Sequence, residues 1–232
     1  MSETESDDLE RVRTGVAGLD EMLSGGLIRG SIGAIVGSYG TGKTTYALQF
    51  IWEGLCHGET AIYISLEESE ESIVRYMRRR GWDPGPYLHS SFIVLKLDPT
   101  NFNLSINSIR NELPSLIRRF SATRLVFDPI SLFEDLFATD AERRYEMFRF
   151  VELLRDERCT MLMTSETDRD NPYSSRHNLI EYLADTVILL RHIHPNQRFR
   201  AKALEVVKMR RSRHSLETRM YEIGDDRIEV LT

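Results

Sequence analysis

The sequence has little of what marks several specialised protein classes. It contains only two cysteines, Cys56 and Cys159, and their spacing suits neither a metal site nor a disulfide framework, so both are expected to be buried free thiols. No apolar run approaches the roughly 18 residues of a membrane span. The formal net charge is −6, so the chain as a whole lacks the basic excess of nucleic-acid-binding domains. These absences predict a soluble, cytoplasmic protein without a membrane span.

The remaining composition is that of an ordinary globular protein. Hydrophobic residues make up 41% of the 232 residues and charged residues 28%, which suits one domain with a substantial core. The first residues, MSETESDD, are polar and acidic. We therefore predict a flexible tail over residues 1–12 and a single domain over residues 13–232.

Residues 37–44 read GSYGTGKT, which matches the G-x-x-x-x-G-K-T pattern of a phosphate-binding loop, or P-loop. A short apolar run typical of a buried strand precedes the loop, and apolar residues at helical spacing follow it. Strand, glycine loop and helix are the context that the motif requires. The sequence therefore predicts a nucleoside triphosphate site made by Gly37, Ser38, Tyr39, Gly40, Thr41, Gly42, Lys43, Thr44 and Thr45.

Each polar residue of the motif has an expected role. The Lys43 ammonium should reach the β- and γ-phosphates, and the Thr44 hydroxyl should ligate Mg²⁺. Asp128 directly follows the apolar residues 125–127, and it fits the carboxylate that holds Mg²⁺ in such proteins. The alternative for Asp128 is a strand-end residue that caps the turn into Pro129.

Apolar runs alternate with helical patterns along most of the chain, which predicts a mostly parallel sheet covered by helices on both faces. Strands without intervening helices follow residue 186, and they predict an antiparallel C-terminal extension that closes with a hairpin around Gly224. A helix over residues 141–155 is expected to bury Phe148, Val151 and Leu154. Another apolar stripe, residues 109–120, predicts a helix interrupted or restarted at Pro114.

Two adjacent carboxylates, Glu67 and Glu68, follow the strand predicted over residues 60–66. Ligands bind outside the carboxyl ends of strands in such sheets, and a carboxylate there can orient and deprotonate the attacking water. Both are therefore candidate catalytic residues, together with Lys43. The alternative is that they belong to the acidic approach to a helix capped by Ser69.

Several segments together resemble the KaiC-like branch of the RecA superfamily. They read GVAGLD at residues 15–20, GGLIRG at 25–30, GTGKT in the P-loop, GETAIYISLEES at 58–69, GWD at 81–83 and KMRRSRH at 208–214. The resemblance implies a RecA-like P-loop NTPase core that hydrolyses ATP with Mg²⁺, at sites between the subunits of a hexameric ring. It also implies that the paired glutamates are catalytic and that the nucleotide state is presented to a protein partner.

The resemblance further implies that Lys208, Met209, Arg210 and His214 reach the nucleotide of the neighbouring subunit. On an extended strand Lys208 and Arg210 share a face, and added positive charge suits a phosphoryl-transfer transition state. The residues alone leave two other interpretations of this cluster open. It could protect an edge strand with charge, or it could form a local nucleic-acid patch.

Two alternative functions follow from the same resemblance. A DNA-acting RecA-type ATPase needs a basic surface, whereas the loop of residues 168–178 mixes both signs of charge, so nucleic acid is possible but not favoured. An autophosphorylating Ser/Thr kinase of the KaiC type needs a Ser-Thr pair shortly before Asp-Thr. The corresponding residues here are Glu181 and Tyr182, although Ser174 and Ser175 precede them. A switch-like ATPase is the leading prediction.

Overall fold

The computed structural model describes residues 9–97, 111–196 and 199–231. The strands are β1 Arg11–Val12, β2 Leu27–Ile28, β3 Ile32–Gly37, β4 Ala61–Ser65, β5 Phe92–Lys96, β6 Arg124–Asp128, β7 Thr160–Ser165, β8 Thr186–Asn196, β9 Phe199–Met209, β10 Arg219–Ile223 and β11 Ile228–Val230. The helices are α1 Ala17–Met22, α2 Lys43–Cys56, α3 Glu70–Arg79, α4 Leu113–Phe120, α5 Ile130–Glu134, α6 Asp140–Asp156 and α7 Ile180–Leu183.

Within the described residues, one nine-stranded sheet organises the fold in the order β11-β10-β9-β8-β3-β7-β6-β4-β5. The strands from β8 to β5 in this order run parallel to one another, and β9, β10 and β11 continue the sheet antiparallel. The predicted mostly parallel sheet with an antiparallel C-terminal extension is confirmed.

Helices cover both faces of the sheet, as predicted. One buried cluster packs α1, α2 and α3 against the sheet, and it includes Leu19, Phe50 and Met77. The other cluster packs α4 to α7 against the opposite face, and it includes Ile117 and Phe150. No described helix combines the length and apolarity needed to cross a membrane.

The P-loop helix is the element that the apolar pattern predicts best. Ala47, Phe50, Ile51 and Leu55 are all buried along α2, and the helix ends just before Gly58, whose φ of 74° is easily adopted by glycine. Farther along the chain, Ser69 caps α3 by accepting a hydrogen bond from the backbone N–H of Ser72, as expected.

Four details correct or refine the sequence-based expectations. Arg11 and Val12 form a short strand with Ile28 and Leu27, so the structured part begins before residue 13, and residues 1–8 of the predicted tail lie outside the described residues. Cys56, the last residue of α2, is exposed, whereas Cys159 is buried. Phe148 is 56% exposed, whereas Val151 and Leu154 are buried as predicted, and Met147 and Phe150 complete the buried stripe of α6. Pro114 lies in the first turn of α4, and Ile109 lies outside the described residues.

Candidate functional site

The ends of four neighbouring strands create a polar edge of the sheet. Strands β3, β7, β6 and β4 are adjacent and parallel, so their carboxyl ends open at the same edge. The P-loop follows β3, Glu166 follows β7, Asp128 ends β6, and Glu67 lies two residues after β4. Three predicted site elements that are distant in sequence therefore meet at this edge, as expected for ligand sites of open α/β sheets.

Glycines shape the P-loop. Gly40 has a φ of 73° and Gly42 a φ of 96°, values in the left-handed region that glycine adopts without strain. The loop is closed by the Thr41 hydroxyl, which donates to the Ser38 carbonyl at 2.7 Å. Beyond Gly42 the chain enters α2, whose first turn directs backbone N–H groups and the positive end of the helix dipole into the loop. This arrangement suits a phosphate group.

The Lys43 ammonium lies over the same loop. Its Nζ donates to the carbonyl oxygens of Gly37 at 2.9 Å and Ser38 at 3.3 Å. Burial lowers the pKa of Lys43, while the carboxylates of Glu166, Asp128 and Glu67 oppose that shift, in decreasing order of strength. The cation thus lies within the field of three carboxylates.

Glu166 was not a site residue in the sequence-based prediction, although it follows the largely apolar run TMLMTS at residues 160–165. Its position after β7, the strand directly beside β3, brings it close to Lys43. Its carboxylate also accepts a hydrogen bond from Arg176 at 2.7 Å. The signal that identified Asp128, a carboxylate at the end of an apolar strand, was present here too.

The Asp128 carboxylate is buried and held on both sides. Its Oδ2 accepts a hydrogen bond of 2.5 Å from the Tyr63 hydroxyl, and its Oδ1 accepts one from the Thr164 hydroxyl. Burial, followed by the neighbouring Asp128 carboxylate, raises the pKa of Tyr63 well above its ordinary value. Tyr63 therefore stays protonated and acts as a donor to Asp128. The sequence assigned neither donor a role at the site, because both lie in otherwise apolar strand patterns.

The paired glutamates differ in their surroundings. Partial burial raises the pKa of Glu67, Asp128 and Glu166 raise it further, and Lys43 opposes the shift. The backbone N–H of Glu68 donates to the Ser65 hydroxyl at 2.8 Å, which turns the chain toward α3. Of the pair, Glu67 is the residue whose carboxylate is coupled to Lys43.

The C-terminal hairpin also contacts the P-loop. The Tyr221 hydroxyl donates to the Thr41 carbonyl at 2.6 Å. Ile223 packs so closely on Gly42 that a Cβ added to the glycine would lie 2.4 Å from its Cδ1 atom. Strand β10 therefore reinforces the loop from a part of the sequence that carries no recognisable phosphate-binding motif.

Two further contacts flank the loop. A ring nitrogen of His192, in β8, lies 3.2 Å from the Tyr39 carbonyl oxygen, and the Tyr39 side chain is 82% exposed. On the other side, the hydroxyls of Thr45 and Tyr76 lie 2.6 Å apart, so α3 is joined to the start of α2. No sequence pattern indicated these pairs.

The basic cluster near residue 210 lies toward the other ends of the strands, away from the carboxyl ends of β3, β7, β6 and β4. Lys208 is the register partner of Val187, and Val187 is the partner of Ala34 near the start of β3. The P-loop begins at Gly37, the last residue of that strand. Gly37 lies three residues after Ala34, about 10 Å along the strand at ~3.3 Å per residue. The structure therefore does not bring Lys208 and Arg210 to the P-loop of their own chain.

The same cluster contacts the backbone around α7. Lys208 Nζ donates to the carbonyl oxygens of Glu181 at 2.6 Å and Ala184 at 2.7 Å, and burial lowers the pKa of Lys208. Arg210 donates to the Tyr182 carbonyl at 2.9 Å while its side chain remains half exposed. Met209 is buried, and His214 is half-buried beyond the strand.

The donors at the polar edge are oxygen atoms, the ligand type that Mg²⁺ prefers. Among the described residues there is no cluster of three or more His, Cys, Asp or Glu side chains that could hold a metal ion. Mg²⁺ in nucleotide sites is commonly bound through one or two protein oxygens, water and phosphates. Thr44 in the first turn of α2 and the fixed carboxylate of Asp128 supply such oxygens.

Comparisons with known proteins show what the chain as a whole is similar to. A family model described as "ATPase: KaiC" matches residues 12–232. The circadian clock oscillator protein KaiC of Prochlorococcus marinus subsp. pastoris is 31% identical over 96% of this chain, and KaiC3 of Synechocystis sp. is 28% identical over 92%. The chain spans under half the length of these relatives, since 45% and 44% of them are covered.

A solved structure matches over nearly the whole length of both chains. The KaiC-like protein PH0186 of Pyrococcus horikoshii OT3 superposes with a TM-score of 0.85 at 28% sequence identity. The match covers 97% of this chain and 100% of that one.

Proposed function

The chain belongs to the KaiC family of ATPases, and on that premise we propose that it binds ATP with Mg²⁺ at the P-loop and hydrolyses it. The observation that carries this proposal is the polar edge itself. Lys43, Asp128 and Glu67 come from three separate segments, and their charges act on one another there. A P-loop with a cation and a candidate base beside it is what phosphoryl transfer to water requires.

Binding is the task of the P-loop and the start of α2. The backbone N–H groups of the loop and the helix dipole attract the phosphates, and Lys43 adds a full positive charge. The carbonyl contacts of Lys43 with Gly37 and Ser38 hold its ammonium over the loop. Thr44 and Asp128 would hold Mg²⁺, which supplies positive charge to the β- and γ-phosphate oxygens when bound.

Hydrolysis needs a residue that orients and deprotonates water. Glu67 is the better placed of the two glutamates, because its carboxylate is coupled to Lys43 and Asp128. The elevated pKa of Glu67 makes it a stronger base than an ordinary exposed carboxylate. Glu68 would then act on the turn into α3 rather than on the nucleotide.

The site is completed, in this proposal, by a second copy of the chain. Lys208, Met209, Arg210 and His214 lie at the edge of the sheet away from their own P-loop, which supports a role at the neighbouring subunit's nucleotide. A ring, hexameric as the resemblance implies, would repeat this contact between each pair of neighbours. The ATP-dependent state of the ring would then be recognised by a protein partner.

The proposal is tested by titration of a non-hydrolysable ATP analogue and by a phosphate-release assay with Mg²⁺-ATP. Wild type should bind and hydrolyse, and Lys43→Ala should lose measurable binding, because the loop then lacks its only side-chain cation. Lys96→Ala is the matched control, since Lys96 ends β5, which lies four strands away from β3 and its P-loop. Unchanged binding by Lys43→Ala would show that the P-loop is not the nucleotide site.

A further inference from the structure

We propose that Tyr63 is a positioning residue that fixes the orientation of the Asp128 carboxylate for the Mg²⁺–nucleotide complex. The inference deepens the proposed function and rests on it. The observation is the hydrogen bond of 2.5 Å from the Tyr63 hydroxyl to Asp128 Oδ2, opposite a second donor, Thr164, on Oδ1.

The sheet topology makes this contact possible. Strand β4 lies beside β6 with Ser65 opposite Asp128, so Tyr63 is the diagonal neighbour of Asp128 two residues back along β4. Side chains alternate along a strand, so Tyr63 and Asp128 point to the same face, and a diagonal pair is within reach of a long aromatic side chain. That face is the one that α2 covers.

Thr164 reaches the other carboxylate oxygen in the same way. Strand β7 lies on the other side of β6 with Phe127 opposite Met163, which brings Thr164 next to Asp128. The carboxylate is thus held between two neighbouring strands, each of which donates to a different oxygen. Rotation about the bond to the carboxylate carbon would break both hydrogen bonds at once.

Burial makes the two donors important. The Asp128 residue is only 7% exposed, so water has little access to its oxygens. A buried carboxylate that lacks donors is costly, and hydrogen bonds to charged groups are among the stronger ones in proteins. Each carboxylate oxygen can accept more than one hydrogen bond, so the two donors leave capacity for the water shell of a metal ion.

The ring and the hydroxyl of Tyr63 have separable roles. The ring is 1% exposed and packs in the core beneath α2, whereas the hydroxyl is directed at Asp128. Phenylalanine at this position keeps the ring and removes only the donor. The role of Tyr63 at the site can therefore be tested without opening a cavity.

The test uses the full chain, a non-hydrolysable ATP analogue, and titrations with Mg²⁺ and with a chelator. The measured quantity is the affinity for the analogue with Mg²⁺ divided by the affinity with the chelator. This ratio, the Mg²⁺ enhancement, reports how well the protein holds the metal. Tyr63→Phe should keep the metal-free affinity within about twofold and reduce the Mg²⁺ enhancement about tenfold, the scale of one hydrogen bond to a charged group. Thr164→Val should reduce it similarly, and Thr164→Ser should keep it.

Tyr46→Phe is the matched control. The Tyr46 hydroxyl is equally buried beside the same core, but it has no hydrogen-bond partner among the described residues. Its removal should change neither affinity. This control separates the loss of a specific donor from the loss of any buried hydroxyl near α2.

The outcomes distinguish failure of the positioning role of Tyr63 from failure of the proposed Mg²⁺ binding. A folded Tyr63→Phe variant with an unchanged Mg²⁺ enhancement overturns the positioning role, even if its melting temperature falls. If that variant does not fold, Thr164→Val decides in the same way. A wild-type protein whose binding is not enhanced by Mg²⁺ overturns the metal part of the proposed function and this inference together. Absence of hydrolysis in wild type leaves the binding test valid.

Discussion

The Arg124 side chain donates two hydrogen bonds to the Glu59 carboxylate, one of 3.1 Å to Oε2 and one of 2.7 Å to Oε1. The guanidinium also donates to the Phe50 carbonyl at 2.8 Å and lies 4.6 Å from the centre of the Phe50 ring. Arg124 begins β6, the strand that ends in Asp128, and Phe50 lies in α2. The buried cation thus joins the strand that ends in Asp128 to the P-loop helix.

This arrangement predicts that Gly54→Ala destabilises the protein, although alanine is the better helix former by about 1 kcal/mol. A Cβ on Gly54 would lie 2.4 Å from Arg124 Nε, so the guanidinium must move away from its partners. We expect a net loss of about 1–3 kcal/mol in the free energy of unfolding, as for other overpacked sites. Urea denaturation measures the change.

The double variant Gly54→Ala, Arg124→Met provides the control for that prediction. Arg124→Met alone should be destabilising, because it removes the cation beside the partly buried Glu59 carboxylate and the donor to the Phe50 carbonyl. In the double variant, Gly54→Ala should lower the free energy of unfolding little further than Arg124→Met alone, because the guanidinium that its Cβ would contact is absent. Equal effects of Gly54→Ala in the two backgrounds would place its cost elsewhere than at Arg124.

The site residues that follow strands were predictable, because the carboxyl ends of parallel strands lie at the same edge of the sheet whatever the strand order. That rule brought Lys43, Asp128 and Glu67 together from the sequence alone. It did not reveal Tyr63, since its contact depends on β4 lying beside β6, and neighbours in a sheet are not readable from the order of strands along the chain.

Other differences have similarly local causes. The apolar pattern of α6 contains two overlapping stripes, and only packing against the sheet selects Met147 over Phe148. Strands of two residues and the helices α5 and α7 are too short for their periodicity to be detected. Nothing in the sequence around Glu134 predicts a buried carboxylate, and two of the charged groups that act on it, Arg176 and Glu181, are distant in the sequence.

Glu134 makes stability dependent on pH. Its side chain is fully buried in α5, neither carboxylate oxygen has a hydrogen-bond partner among the described residues, and burial raises its pKa from 4.5 to about 8. The Arg143 and Arg176 guanidinium groups oppose that shift, and the Glu181 and Asp135 carboxylates add to it. Glu134 is therefore protonated in the folded protein at neutral pH.

Between pH 4.5 and about 8 the folded chain holds a proton at Glu134 that the unfolded chain has lost. The contribution of Glu134 to the free energy of unfolding therefore falls as pH rises through this range, by an amount on the order of 3 kcal/mol. Glu134→Gln should remove this contribution and gain stability relative to wild type as pH rises. Urea midpoints at about pH 5.5 and about pH 8.5 measure it. Exposed Glu152→Gln is the control, and a Glu134→Gln variant that follows the wild-type pH profile would contradict the prediction.

The two glutamates after β4 are separable by isosteric substitution. Glu67→Gln should bind the ATP analogue as wild type does and should hydrolyse Mg²⁺-ATP more slowly, by roughly 10²–10⁴-fold, the usual contribution of a general base. Glu68→Gln is the matched control and should retain most of the activity, because the Glu68 backbone rather than its carboxylate makes the contact with Ser65. If Glu68→Gln alone abolishes hydrolysis, the roles are reversed.

Arg210 should act on the nucleotide of a neighbouring subunit. In its own chain it donates to the Tyr182 carbonyl at the edge of the sheet away from the P-loop. Arg210→Ala should therefore slow hydrolysis far more than it weakens binding of the ATP analogue, by about 10³–10⁵-fold if it serves as an arginine finger. Arg211→Ala is the control, since Arg211 is exposed one residue farther along.

A mixing experiment tests whether the contact is between chains. The Lys43→Ala chain lacks a working P-loop but keeps Arg210, and the Arg210→Ala chain has the opposite defect. When the two inactive variants are mixed, some interfaces combine Lys43 from one chain with Arg210 from the next, so part of the activity should return. A role within one chain predicts no recovery at any mixing ratio. Because recovery requires exchange of subunits, a tag on one variant must first recover the other from the mixture. With exchange established, an inactive mixture would exclude a role for Arg210 in trans.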